Sequence, residues 1–428
     1  MEDRFELAKQ AFLAGLAQLE MGNLPEAEQH FEQSLVWMPV RTSTLVNLGA
    51  VRLALKRADT ALPVLEQACK LDPGDAQAWA YQGQAHMSLS QPVVAAERFS
   101  NAAALQPGNS LFWIKLSEAQ IAAGRADAAL ASLDRLVALT PDNATAWSNR
   151  GMLLRELQRP HQAAASFEKA VAFLSDDTSG ALALNQYYLA ALQAGLAGQV
   201  EQTNDAKSVA RPNQPAPSSA PRGYVEKLFD SYAADFDAQL VQGLRYHAPE
   251  VLLAGLGTLQ PDPRFALVLD LGCGSGLSGP LFRPIAQQLH GVDLSSVMLE
   301  KARALGAYDQ LFHADALDHL CTSTLRYNLV IAADVFIYMG ELDSLFAALT
   351  PRLAPGAQFV FTVELLGEKA GAPVQLLPSM RFAHSEAYLR RLATTHGMVV
   401  DRLDCQTLRY ENKQALAGLF VFLRLANF

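Results

Sequence analysis

Along the first 175 residues the apolar positions keep a helical spacing, and above it runs a longer period of 34. Pro39, Pro73, Pro107 and Pro141 stand one period apart, as do Ala27, Ala61, Ala95, Ala129 and Ala163. Gly15, Gly49, Gly83 and Gly151 keep the same step, with Ser117 in the remaining place. Trp79, Trp113 and Trp147 repeat it again, preceded by Leu45. Small residues on one helix and alanines on the next let two backbones approach closely. Large residues such as Trp79, Phe99 and Phe167 fill what is left. Proline ends each second helix, because it cannot continue the hydrogen-bond ladder. The pattern predicts five antiparallel helix pairs over residues 8 to about 175 and a terminal helix at 180–198 that covers the last pair.

The period is lost over 199–222, "QVEQTNDAKSVARPNQPAPSSAPR", whose Pro, Ser, Gln and Asn content reads as a linker. Beyond it short apolar runs alternate with helical stretches. A helical stretch at 224–256 leads to strands at 265–270, 289–292, 309–313, 327–333 and 357–364. Helices are predicted from Ser295, over 341–353 and over 384–396. The last two runs, 398–410 and 416–425, have no helix between them and predict an antiparallel hairpin. The fold class that follows is α + α/β: an all-α N-terminal solenoid over 1–198, a linker over 199–222, and a doubly wound, mostly parallel sheet over 223–428.

Composition narrows the functions. A net charge of −9 argues against a broad nucleic-acid footprint. Cys69, Cys273, Cys321 and Cys405 are scattered, which is neither a disulfide framework nor a zinc site. No apolar run reaches membrane-spanning length, and the N-terminal stretch lacks the basic start of a signal peptide. The expectation is a cytoplasmic protein that binds neither nucleic acid nor membrane.

The candidate chemistry lies in "LVLDLGCGSGLSGP", residues 267–280. Gly274, Gly276 and Gly279 satisfy the spacing of a dinucleotide loop, but Asp270 closes the preceding strand where a pyrophosphate would lie. A carboxylate there repels phosphate and suits the ammonium group of a methionine tail. Gly272, Gly274 and Gly276 then allow the backbone to approach a nucleoside. Asp293, in "GVDLS", ends the second strand, where it can accept both ribose hydroxyls. Asp315, in "HADALD" and followed by Ala316, ends the third, where it can accept from an adenine amino group. Three acids at three consecutive strand ends are a stronger signal than the glycines.

The first half resembles the tetratricopeptide repeats, and residues 223–428 resemble the class I S-adenosylmethionine-dependent methyltransferases. The second likeness rests on the glycine loop, the acid after the second strand, the "AD" after the third, "ADVFIYM" and the terminal hairpin. "LFDSYAADFD", "FAHSEAYLRRL" and "LRYE" are similar to features of bacterial methyltransferases fused to such repeats. The resemblance implies S-adenosylmethionine as cofactor and methyl transfer to an O or N acceptor. "ADVF" stands where adenine and glutamine amino-group methylases carry (D/N)PPY, which argues against adenine methylation.

Asp334, at the end of the fourth strand, is the first catalytic candidate, and His384, at the start of the helix after the fifth, is the second. Tyr232 is a candidate to close over the methionine carboxylate. Tyr338 and Tyr410 stand near the expected mouth. His313 and His319 are not read as metal ligands, because Asp315 beside them is assigned to adenine. In the repeat fold the groove positions include Val46, Leu53, Met87, Leu111, Ile114, Ile121 and Met152. Such an apolar groove suits a protein, peptide or carrier-bound substrate. It also suits the second domain or a second copy of the chain, as in a homo-oligomer. The competing reading is an assembly or scaffold protein that binds the cofactor without turnover.

Overall fold

The computed structural model of the protein describes residues 2–174, 180–203, 217–232, 244–367, 371–411 and 414–426. The chain divides into two compact units, Met1–Ser175 and Asp176–Phe428.

The first unit holds ten helices among the described residues, from Glu2–Glu20 to Pro160–Phe173, paired as the period predicts. The reason for the small residues is visible in the packing. A methyl group added at Gly15, Gly49, Gly83 or Gly151 would stand 2.7, 2.4, 3.0 or 2.9 Å from Phe31, Leu65, Phe99 or Phe167, each sixteen positions later. In the fourth pair that later position is Leu133, and Ser117 takes the glycine's place. Each repeated tryptophan donates its indole N–H to the proline carbonyl six residues before it, at 2.9, 2.9 and 2.8 Å for Trp79, Trp113 and Trp147. The indoles are half-buried and fasten the turns between pairs. A second periodic feature concerns the turn inside each pair. Gly22, Lys56, Ser90, Gly124 and Gln158 all adopt positive φ, between +56° and +79°. Only two of the five are glycine, so composition alone does not mark this position.

In the second unit nine strands form one sheet in the order β3-β2-β1-β4-β5-β7-β6. These are β1 Phe265–Leu271, β2 Ala286–Asp293, β3 Gln310–His313, β4 Tyr327–Ala332, β5 Leu353–Leu365, β6 Val374–Leu376 and β7 Phe382–His384. The hairpin β8 Met398–Glu411 and β9 Gln414–Leu425 joins through β9, which runs antiparallel to β5. β1 to β5 pair in parallel. Their residues alternate between two buried faces, as a sheet covered on both sides requires. Leu269, Val330, Phe359 and Phe361 pack with Phe346 and Leu389 on one face; Val268, Leu329, Ile331 and Val360 pack with Leu252 and Phe282 on the other. The chain leaves β1 towards β2 on one side and returns to β4 on the other. The carboxyl ends of β1 and β4 therefore border a topological switch point, where such sheets bind ligands.

Three expectations change. The terminal helix runs from Ala181 to Thr203 and groups with the second unit, not with the repeats. There Tyr187 is fully buried against Tyr224 and Phe382 and donates its hydroxyl to the Met380 carbonyl. Of the segment expected as linker, residues 199–203 continue that helix. Beyond the helix, residues 218–220 pair with the 338–340 loop through Ala220 N–H to Tyr338 O, 2.9 Å, and Gly340 N–H to Ser218 O, 2.8 Å. A short hairpin, β6–β7, intervenes before the helix Glu386–Thr395, whose first residue follows Ser385 and not His384.

Two outcomes follow. Gly49→Ala should destabilise the repeat unit although alanine is the better helix former by ~1 kcal/mol, because overpacking costs typically ~1–3 kcal/mol. In a double-mutant cycle with Leu65→Ala the methyl should be tolerated; purely additive denaturation shifts would remove the steric explanation. Second, a fragment beginning at residue 176 should unfold at higher urea than one beginning at residue 223. Loss of a buried aromatic side chain costs roughly 3–5 kcal/mol, and equal midpoints would mean that the helix contributes nothing.

Candidate functional site

A cavity of about 890 Å³ opens at the carboxyl ends of the parallel strands. Gly272, Gly274, Asp293, Asp315, Ala316, Asp334 and Tyr338 all line it, so the structure brings together seven of the twelve site candidates named above.

The glycine loop is held by the end of β2. The N–H groups of Gly272 and Cys273 donate to the Val292 carbonyl at 2.8 and 2.9 Å. Asp293 accepts from Gly274 N–H through Oδ2 and from Ser295 N–H through Oδ1, both at 2.8 Å. Burial raises the Asp293 carboxyl above its ordinary value, and these N–H donors oppose the shift. Gly272 and Gly274 have φ of +71° and +54°. A side chain on Gly272 would collide with Val335 at 2.5 Å, while one on Gly274 would project into open space within the cavity. Each Asp293 oxygen has a second acceptor site beyond its backbone partner.

Asp315 caps the helix Ala316–Thr322, accepting from Leu317 N–H at 2.9 Å and Asp318 N–H at 3.2 Å. Its other oxygen faces Arg222 at 3.3 Å, and Arg222 forks onto Asp318 at 2.6 and 3.1 Å. Arg222 starts the helix Arg222–Tyr232, which contributes Tyr224 and Phe229 to the cavity wall. The Tyr232 side chain lies outside the described residues.

Asp334 follows β4 with φ of +61°, and its N–H donates to Thr362 Oγ1 at 2.8 Å. Both its carboxylate oxygens accept from Arg409 Nη1 at 2.8 Å. Arg409 is 1% exposed; its Nε donates to Glu411 at 2.8 Å and its Nη2 to Glu364. Burial opposes the Arg409 charge, but Asp334 and Glu364 outweigh it and hold the group above the usual arginine value. Arg381 pairs with Glu411 and lies 3.6 Å from Glu364. Arg409 and Arg381 were not anticipated from the sequence. Arg409 sits in the quoted "LRYE", but nothing along the chain shows that β8 ends beside β4.

Expectations on four site residues, Asp270, Gly276, His384 and Tyr410, are corrected. Asp270 and Gly276 are not among the described residues that line the cavity. Asp270 is buried beneath the loop, accepting from Tyr308 Oη at 2.7 Å, and burial raises its carboxyl to about 7 against the pull of Tyr308. Gly276 instead lets the loop approach helix Ser296–Ala304, since a methyl there would meet the Ala302 backbone at 3.1 Å. His384 is neither a helix-start residue nor at the mouth. It ends β7, is fully buried, and donates Nε2–H to the Gly340 carbonyl at 2.8 Å. Its Nδ1 has no partner among the described residues, so a second proton there would be buried unsatisfied. Burial accordingly lowers His384 to about 4. It holds the 338–341 loop and is not placed to take a proton from an acceptor. Tyr410 likewise lies off the cavity, with the Arg245 guanidinium 5.5 Å from its ring. His313 faces the Leu294 carbonyl, and His319 the Tyr327 hydroxyl.

The loop thus carries positive-φ glycines and is bound to an acid at the next strand end of a doubly wound sheet. Residues 268–356 match the family described as methyltransferase domain, and residues 46–110, 86–153 and 144–173 match tetratricopeptide repeat families. The chain therefore carries a methyltransferase domain preceded by tetratricopeptide repeats. It is 45% identical over 86 residues to methyltransferase-like protein 27 of Homo sapiens, covering 20% of this chain and 35% of that one. It is 30% identical over 119 residues to malonyl-[acyl-carrier protein] O-methyltransferase of Enterobacter lignolyticus, covering 28% and 45%. The solved magnesium protoporphyrin IX methyltransferase of Synechocystis PCC 6803 aligns with a TM-score of 0.37 at 16% identity, over 48% of this chain and 99% of that one. The chain spans between 35% and 60% of the length of the curated relatives it matches.

The pH dependence of stability tests the His384 assignment. Its folded pKa lies below the unfolded value, so its contribution is full above pH ~6.5 and is lost as pH falls towards about 4. The loss is on the order of 3 kcal/mol. Asp270, raised in the folded state, acts with the opposite sign over an overlapping range, so the quantity to measure is the wild type minus His384→Gln. That difference should shrink on acidification; a flat difference would contradict a buried neutral imidazole.

Proposed function

We propose that the protein is an S-adenosylmethionine-dependent methyltransferase acting on an O or N acceptor, to which its repeats recruit a protein, peptide or carrier-bound substrate. The observation that carries the reading is Asp293. It lines the cavity at the end of β2, holds the Gly274 N–H, and keeps acceptor capacity on both oxygens. Two vicinal ribose hydroxyls fit that capacity. The space at Gly274 fits the close approach of a nucleoside to backbone. Asp315 would take the adenine amino group, with Ala316 beside it leaving room. Asp270, being buried, would act on the methionine end only through the loop above it. The cofactor supplies a methyl group on a sulfonium, a good leaving arrangement, so the protein's task is alignment and exclusion of water. Asp334 and Tyr338 are then the residues nearest the acceptor's position, with the side chain of Tyr232 as the remaining candidate for the carboxylate end.

Recruitment by the repeats is supported by the groove positions Leu111 and Ile121, which are 51% and 46% exposed. The relatives named for an acyl-carrier protein substrate make a carrier-bound acceptor the natural first test. No helix among the described residues is long and apolar enough to cross a membrane.

Calorimetry should detect S-adenosylmethionine binding that NAD does not compete with. Asp293→Ala removes the charged acceptor of two hydroxyls at roughly 1.5–3 kcal/mol each, so affinity should fall at least about tenfold. Wild-type affinity in that variant would reject the site assignment.

A further inference from the structure

The acceptor end of the cavity is built from charge. Asp334, Tyr338, Arg381 and Arg409 share its wall, and Glu364 and Glu411 stand behind them. Every nitrogen of Arg409 already donates to a carboxylate: Nη1 to Asp334, Nε to Glu411, Nη2 to Glu364. Arg381 gives Nη1 to Glu411, 3.6 Å from Glu364. Two guanidinium groups thus serve three carboxylates, and the ionised network holds one negative charge in excess. The rest of the lining does not offset it. Glu341, Asp293 and Asp315 also face the cavity, and the third cation among the described lining residues, Arg222, is bound by Asp318 and Asp315.

We propose that this network selects an amine as the methyl acceptor, held through its positive charge and its N–H groups by the Asp334 carboxylate. The inference rests on the methyl-transfer reading above and narrows its acceptor class. Each Asp334 oxygen spends one acceptor site on Arg409 and has another to offer. The Thr362 bond to its N–H, the left-handed backbone and the Arg409 fork hold that carboxylate in place before any acceptor arrives. A carboxylate acceptor would face Asp334 and Glu364, while Arg409 is spent on three carboxylates and Arg381 Nη1 on Glu411. A hydroxyl would be tolerated but would leave the excess charge unmatched. Burial raises the Glu364 carboxyl, and Arg409 and Arg381 pull it back towards the charged form. In the transfer the bound ammonium gives one proton to water by way of Asp334. The freed nitrogen pair forms the bond to the methyl carbon, and the pair of the broken bond stays on the donor's sulfur.

The test begins without turnover. The full-length protein, saturated with S-adenosylhomocysteine, is titrated with n-butylammonium and with butyrate, and binding is read by NMR. The ammonium should bind at least about tenfold more tightly, the scale of one charge-assisted hydrogen bond. Asp334→Asn should abolish most of that preference. If Asp334→Asn proves unfolded by circular dichroism, Glu411→Gln, on the half-exposed rim of the network, should reduce it. Butyrate binding as tightly as the ammonium, no detectable binding of either probe, or an unchanged preference in the folded variant would each overturn the proposal. A second arm labels lysate with radioactive methyl groups. Label recovered on an N-methylated amine by mass spectrometry supports the proposal; label on an ether oxygen, or released by alkali as volatile methanol from a carboxyl ester, overturns the inference while leaving methyl transfer intact. Failure to bind S-adenosylhomocysteine at all would instead reject the cofactor reading on which the inference stands.

Discussion

A guanidinium at 1% exposure keeps its charge, so its burial is costly unless opposite charge surrounds it, and in this protein that need organises one end of the cavity. Arg409 comes from β8, yet its partners come from the loop after β4, from β5 and from its own strand. The last hairpin is thereby tied to the centre of the sheet by more than the β5–β9 ladder. Arg381 extends the same network to the turn between β6 and β7. That turn is in turn held by the Tyr187 hydroxyl from the helix Ala181–Thr203. A segment far upstream of the glycine loop is in this way part of the cavity's support.

The nucleoside end is organised differently. There the cavity-lining acids also do structural duty: Asp293 fastens the glycine loop and Asp315 caps a helix. Such double use orients a carboxylate before a ligand is present, since its backbone partners hold the rotamer. It also means that each acid offers a ligand only the acceptor sites its backbone partners leave. Strand ends at a switch point favour this economy, because N–H groups of the following loops and helices point to the same place as the ligand would.

The residues misread along the chain were misread for a common reason. Asp270 lies in the strand expected of it, near the carboxyl end of β1, whereas His384 ends β7 where a helix start was expected; both are strand residues, and these alternate in direction. Position fixes which end of the sheet a residue occupies and leaves its side open. Asp270 turns under the loop to Tyr308, and His384 turns to the Gly340 carbonyl. Gly276 follows the same logic: its missing side chain serves a helix and not a ligand.

What the chain determined by itself was periodic or local. The 34-residue repeat, the parallel strands with their intervening helices, the terminal hairpin and the acids Asp293 and Asp315 were all legible, because each depends on spacing or on a neighbour a few residues away. The interior turn of each helix pair was less so, since Lys56, Ser90 and Gln158 adopt glycine-like backbone without being glycine. The tertiary structure alone decided which helix belongs to which unit, that residues 218–220 pair with 338–340, and that Arg409 meets Asp334 seventy-five residues away. A buried ion pair of that kind has no sequence period. It exists only where the fold excludes water and leaves charges no other partner.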